Sequence, residues 1–303
     1  MSGSGVVGSR RGSAVRNARS VDSALAPAPG SPPRGLGKGA GGFTLIELVV
    51  VIVVTGVIAG VIGLFIAEPI KSYLDQARRG GLVDAAQLAL VRMGRDLRSA
   101  LPNSVRVSGG SAIEMLHVID GDRYRAESPG SAPDQLDTTQ ADGSFNTFLQ
   151  LGAGQAFSNP SLAIYPQPGS SPYSTSVMTS GTTVTVGGTV TVGGATEYRV
   201  TMTPSFKFLS DSPGRRVFLV EGPVSYICSG AQLLRYSGYA VSPAQPLPPA
   251  VTPDVIVGNV ELCSFTYTAG ATARRALAML TLVLNADGER IRLVRQVHVD
   301  NTP

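Results

Sequence analysis

Between Phe43 and Ala67 the chain is apolar except for threonines and one carboxylate, Glu47. As a helix these residues would be about 37 Å long, enough for the ~30 Å hydrocarbon core of a bilayer. A lone carboxylate at the centre of lipid costs about 2.5–3.5 kcal/mol, and less near an interface. Glu47 sits near the start of the run, so it needs an interface or a cationic partner. A secretory signal would have a core of about 7–15 apolar residues and a small-residue cleavage site behind it. Here the run is longer and no such site follows. The polar-to-apolar boundary falls instead at Gly42/Phe43.

Within the run, Gly56 and Gly60 are four apart, with Gly63 beyond. Small residues at that spacing allow close helix–helix approach in lipid. Glycine is also simply frequent in membrane helices, and the pattern alone does not choose between the two readings. Pro69 follows and is expected to kink the helix by removing one backbone hydrogen bond. The helical pattern then resumes. Leu82, Ala86, Ala89, Met93, Leu97 and Leu101 follow i, i+3/i+4 spacing, while Arg92, Arg95 and Arg98 share another face. That predicts an amphipathic helix with its arginine row in solvent, ending at Leu101-Pro102-Asn103.

Charge separates the front of the chain from the rest. Residues 1–42 hold six basic residues against Asp22 alone, which is +5 in a chain whose net charge is +4; the remainder is therefore −1. This gives no ground for a nucleic-acid surface on the body. The front segment is rich in Gly, Ser, Ala, Pro and Arg without periodicity, as expected of a disordered or targeting segment.

From Val105 onward the signals are those of β-structure. Val105–Ser108, Arg216–Val220, Val224–Cys228, Leu262–Tyr267, Ala278–Leu284 and Ile291–Val294 read as strands. Gly222-Pro223 and Ala286-Asp287-Gly288 read as turns, and Pro243–Pro253 as a loop. Residues 183–194 repeat Thr-Val-Thr-Val-Gly-Gly twice, which suggests a hairpin or an exposed two-strand flap. Two cysteines, Cys228 and Cys263, lie beyond the membrane-length run. If that run delivers them to an oxidising compartment, a disulfide is favoured; in a reducing one they would be buried free thiols.

No catalytic constellation stands out. His117 and His298 lie in strand-like contexts and read as ordinary strand positions. Asp134, Asp137 and Asp142 lack the spacing of a calcium loop. No nucleophile elbow, phosphate loop or H-E-x-x-H occurs, so neither an enzyme nor a bound cofactor or metal is expected.

The run Gly42-Phe43-Thr44-Leu45-Ile46-Glu47-Leu48 resembles the class III signal of type IV prepilins and pseudopilins. The resemblance implies cleavage between Gly42 and Phe43 by prepilin peptidase and N-methylation of Phe43. Glu47 becomes the fifth mature residue, which in that family is thought to pair with the N-terminal amine of a neighbouring subunit. It implies an α+β, pilin-like fold: a long N-terminal helix, half membrane-spanning and half amphipathic, packed on an antiparallel sheet. The expected layout is a leader over 1–42, a membrane or fibre-core helix over 43–67, an amphipathic helix over 68–101 and a periplasmic β-rich domain over 102–303. The implied partners are prepilin peptidase, other major and minor pilins, the inner-membrane assembly platform and membrane lipid.

Further segments, among them Pro69–Asp75, Leu82–Ala86, Arg92–Arg98, Ala100–Val107, Val220–Cys228, Leu234–Tyr239 and Gln296–Asn301, look similar to the large O-type minor pilin of mannose-sensitive haemagglutinin pilus biogenesis. Residues 126–210 carry little of that likeness. The readings are therefore a structural minor pilin, a type II secretion pseudopilin, or a tip adhesin using 183–194. Counting basic residues near the apolar run does not favour a cytoplasmic N-terminus. The full basic leader and the signal do favour it, with the C-terminal domain in the periplasm.

Overall fold

The computed structural model describes residues 42–127, 135–149, 160–167, 171–173, 177–179, 182–192, 194–270 and 275–300. The chain divides into two units, Met1–Val61 and Ile62–Pro303. A single helix, α1 (Leu45–Arg98), begins in the first unit and ends in the second, and it runs through Pro69 as one element. Among the described residues there are twelve strands, all in the second unit.

Six strands make the largest sheet. They are β1 (Arg106–Ser108), β2 (Ala112–Arg123), β4 (Ser161–Ile164), β7 (Arg216–Ser229), β8 (Gln232–Ser237) and β9 (Asp254–Val257). Their order is β1-β2-β7-β8-β9, with β4 also on β7. A second sheet is the meander β10 (Val260–Thr268), β11 (Ala276–Ala286) and β12 (Glu289–Val299). A third has the order β3-β6-β5, from β3 (Asp142–Thr147), β5 (Thr183–Val192) and β6 (Ala195–Phe206). All pairings are antiparallel. The architecture is α+β and pilin-like, as the resemblance implied.

The apolar stripe of the helix does what its spacing predicts. Leu82, Ala86, Ala89, Leu90, Met93 and Leu97 are buried. They share one core with Ile113 and Met115 of β2, Tyr226 of β7, Phe265 of β10, Leu280 of β11 and Val297 of β12. Each large apolar side chain so buried contributes roughly 1.5–3 kcal/mol. Gly94 is buried against β12, where a Cβ would meet Arg295 Nε at 2.9 Å, so glycine permits this close helix–sheet approach. Arg92, Arg95 and Arg98 are exposed, in agreement with a solvated face. The helix ends at Arg98, three residues before the predicted stop. The Leu101 amide donates to the Leu116 carbonyl at 2.8 Å, and Ala100 bridges His117, so pairing with β2 draws the chain out of the helix.

Two turn predictions need correction. Gly222-Pro223 is no turn; it lies inside β7, which continues as one strand. On one side β7 pairs with β2 throughout, and on the other it changes partner from β4 (Val217–Val220) to β8 (Val224–Ser229). Pro223, without an N–H, sits at that changeover, where no ladder donor is required. Gly222 has φ 147°, close to two register shifts in β2 at Val118. Of the repeat over 183–194, residues 183–192 likewise do not fold back on themselves. The Thr-Val-Thr-Val runs of both copies lie in β5, and the first Gly-Gly forms a bulge between Gly187 and Thr189, with Gly188 at φ 73°. The hairpin partner is β6. Asp287-Gly288 does form the tight turn expected, with Asp287 at φ 50° and Gly288 at φ 87° between β11 and β12.

Cys228 and Cys263 form a disulfide with Cα atoms 6.5 Å apart, joining β7 to β10 and so the first sheet to the second. In the chain-entropy model a loop of this length gives roughly 3–4 kcal/mol.

Buried polar groups are paired across elements. Asp96 of the helix accepts from Tyr226 Oη at 2.7 Å and from Arg235 Nε at 3.0 Å. Glu114 is buried and holds Arg106 and Tyr239, while Arg106 donates to the carbonyls of Ser242 and Pro243 and anchors the proline-rich loop. Glu197 is fully buried, receives Arg125 Nε at 2.9 Å and Asn146 Nδ2 at 3.2 Å, and forms an ion pair with Arg125. The Arg125 hydrogen bond, and then its charge and Asn146, hold the Glu197 carboxyl below the usual carboxylate range against the opposing effect of burial.

A depressed carboxylate pKa adds stability above the unfolded-state pKa and loses it as pH falls through the folded value. Glu197→Gln is therefore expected to lower stability at pH 7 by about 3 kcal/mol. Its deficit relative to the parent should shrink as urea melts are taken from about pH 5 toward pH 3. A deficit unchanged over that range would contradict the pairing.

Candidate functional site: the N-terminal helix entry

The structure begins its described residues at Gly42, and the helix at Leu45. Thr44 caps it: the Glu47 amide donates to Thr44 Oγ1 at 3.3 Å, and the Leu48 amide donates to the Thr44 carbonyl at 3.1 Å. Thr44-x-x-Glu47 is thus the sequence pattern of a capping box, with the Thr44 half formed. Glu47 falls in the first helical turn, where unpaired amides and the helix dipole favour negative charge. The position of this carboxylate has a local cause as well as any intermolecular one. The sequence reading missed the cap, although the Thr-x-x-Glu spacing announces it.

Behind the cap the helix shows its apolar side chains to the surroundings. Phe43 is 79% exposed, Leu45 81% and Ile46 69%, and Val50, Ile52, Val53, Val57 and Ile58 are exposed as well. Its most apolar 18-residue window has a mean hydropathy of 3.0 and none of it is buried. Water would oppose so large an apolar surface, so its natural surroundings are lipid or other helices. Thr55 Oγ1 donates to the Val51 carbonyl at 2.6 Å, which satisfies the hydroxyl within an apolar stretch. Among the described residues a Cβ added at Gly56 or Gly60 would meet nothing within 4 Å, so none of them fills the notch these glycines form in the helix surface.

The remaining sequence candidates lie elsewhere. Pro69 is internal to α1. His117 Nδ1 lies 3.0 Å from Glu221 Oε2 on β2 and β7, and His298 is an exposed residue of β12. Asp137 precedes β3 and its amide donates to Oδ2 of Asp142, the first residue of that strand, while Asp134 lies outside the described residues.

A family model described as the prokaryotic N-terminal methylation motif matches residues 37–63, which include Gly42, Phe43, Glu47, Gly56 and Gly60. No curated protein and no solved structure matches the chain. The motif, the membrane-capable helix behind it and the α+β body support a protein of the type IV pilin or pseudopilin kind. Such a signal implies processing by prepilin peptidase and assembly with other pilins, and the apolar helix fits an inner-membrane anchor.

Because Gly56 and Gly60 touch nothing, Gly56→Leu and Gly60→Leu should leave the melting of the body within about 0.5 kcal/mol of the parent. If the notch receives a neighbouring helix, the same variants should sharply reduce the protein co-purifying with other helical membrane subunits. Undiminished association would assign the glycines no packing role.

Proposed function

We propose that this chain is a minor pilin, a structural subunit that helps initiate or tip a type IV pilus of the mannose-sensitive haemagglutinin-like type. On this reading the leader ends at Gly42 and prepilin peptidase frees and methylates Phe43. Residues 43–67 hold the precursor in the inner membrane as a single pass and later pack in the fibre core. Residues 68–101 form the amphipathic half that carries the body, and 102–303 the periplasmic domain. Pro69, which cannot donate to the Phe65 carbonyl, is where this helix would bend. The observation that carries the proposal is a carboxylate held in the first turn of a helix whose opening stretch, residues 45–63, is otherwise apolar and exposed, within a methylation motif.

Glu47 then acts as a register device. In lipid it is stabilised only partly by its own helix N-terminus, and the Phe43 amine of a docked neighbour would complete the charge pairing at the same depth. Docked and undocked states differ by that pairing. A type II secretion pseudopilin would use the same device, and deletion of the gene separates the two: loss of surface fibres for a pilin, loss of protein export for a pseudopilin.

Glu47→Val should be inserted and cut normally, since the cleaved bond lies outside the helix, yet be absent from sheared fibres while accumulating in the membrane. Fibre content equal to the parent's would remove the role proposed for Glu47.

A further inference from the structure

Gly80 and Gly81 stand side by side in the interior of α1. Glycine has the most backbone freedom to lose, so each one opens a helix about fivefold more readily than alanine, and the pair about twentyfold. A helix that keeps two together needs a reason. Two reasons are available to the other glycines of α1, and neither applies here. Gly94 lies against Arg295 and Val297 of β12, where a larger residue would collide. At Gly80 and Gly81 a Cβ would meet nothing among the described residues, and both positions are exposed. Gly56, Gly60 and Gly63 lie in the membrane-length run, where small residues admit neighbouring helices. Gly80 is 13 residues past Ala67, the end of that run, or about 20 Å along the axis. It sits among Lys71, Asp75, Arg78, Arg79 and Asp84, a charged stretch unsuited to hydrocarbon.

The place of the pair in the helix supplies the reason. Residues 68–81 are exposed throughout, and burial begins at Leu82, followed by Ala86, Ala89 and Leu90. The glycines are the last two positions before the helix meets the sheets. Opening there uncovers no buried side chain, whereas opening one turn later would unseat the core. Little else crosses this point. The amides of residues 81–84 bond back to the carbonyls of 77–80, as in any α-helix. Arg78 Nε lies 4.0 Å from Asp287 Oδ2 with both side chains exposed, and such an ion pair contributes little. The other ion pair of Arg78, with Asp75 at 3.6 Å, stays within the preceding stretch.

We propose that Gly80-Gly81 is a hinge built into α1. The helix opens at this pair, and the stretch before it changes direction while residues 82–97 stay packed. The body thereby keeps its own core whatever direction the preceding helix takes, in a bilayer or against other helices. A bend at Pro69 is a separate matter, since it would leave residues 70–79 fixed to the body. The hinge does not depend on the chain entering a fibre.

The test uses the full-length chain in lipid nanodiscs, with Cys228 and Cys263 oxidised. Spin labels at Lys71→Cys and Gln296→Cys, both exposed positions, report the distance between the preceding stretch and β12. Lys71 lies after Pro69, so a bend at Pro69 does not move it relative to the body. Nine residues of helix separate Lys71 from Gly80, a lever of about 14 Å, and a kink of about 20° or more displaces the label by roughly 5 Å or more. The parent should give a broad distance distribution. Gly80→Ala combined with Gly81→Ala should reduce its width by roughly half. Labels at Leu88→Cys and Gln296→Cys, both on the packed side of the hinge, should give one narrow distribution in either background. Hydrogen exchange of the amides of 81–84 should slow roughly twentyfold in the alanine variant, with those of 86–97 unchanged. Equal widths in parent and alanine variant, whether both narrow or both broad, would overturn the proposal. Alanine substitutions that weaken co-purification with other membrane subunits and leave the width unchanged would assign the pair to helix packing and overturn it equally.

Discussion

One helix stripe organises the body of this protein. Leu82, Ala86, Ala89, Leu90, Met93 and Leu97 can leave water only by packing on a sheet, and two sheets converge on them. The other devices hold that packing in register. Gly94 admits β12 closely, Asp96 takes hydrogen bonds from Tyr226 and Arg235, and the Cys228–Cys263 disulfide joins the two sheets at β7 and β10. Asp96 sits on the same helix as the apolar stripe but is paired with strand side chains, so a slip of the helix would leave a buried carboxylate unpartnered, at a cost of several kcal/mol.

The same helix begins with a stretch for which the described residues supply no partner. Its apolar side chains are exposed, its glycines touch nothing, and its single carboxylate lies in the capped first turn. Hydrophobic surface on this scale is stable only in lipid or against other helices. A helix with one half satisfied internally and the other only by its surroundings is what an anchored subunit destined for assembly requires, and the methylation motif over 37–63 points to the same class.

Much of this was legible in the sequence because it is periodic. The 3.6-residue spacing of Leu82 to Leu97 marked the buried face, and the arginine row marked the wet one. Alternation located β10, β11 and β12, and Asp287-Gly288 located their turn. Local signals failed where tertiary pairing decides. Gly222-Pro223 looked like a turn because a strand that changes partner midway leaves no trace in composition. Gly187-Gly188 looked like a hairpin because a bulge and a turn use the same residue. β3, Asp-Gly-Ser-Phe-Asn-Thr, and β4, four residues long, carry too little pattern to be read as strands, although they wall a second core around Phe145, Leu162 and Val200. The burial of Glu197 leaves no local sign in the sequence, since its partners Arg125 and Asn146 are distant in sequence. At the helix entry Glu47 drew attention as a charge in an apolar run, while Thr44, which gives the turn its cap, passed unnoticed.

The account rests on what happens at the bond between Gly42 and Phe43. Mass spectrometry of the mature N-terminus, on protein taken from the membrane fraction, addresses it directly. An N-methylated Phe43 terminus is the predicted result and would establish the helix as the leading element of a processed, pilin-type subunit. An intact leader, or a terminus created after Ala67, would contradict it, leaving an anchored or secreted β-protein whose apolar helix serves only for targeting.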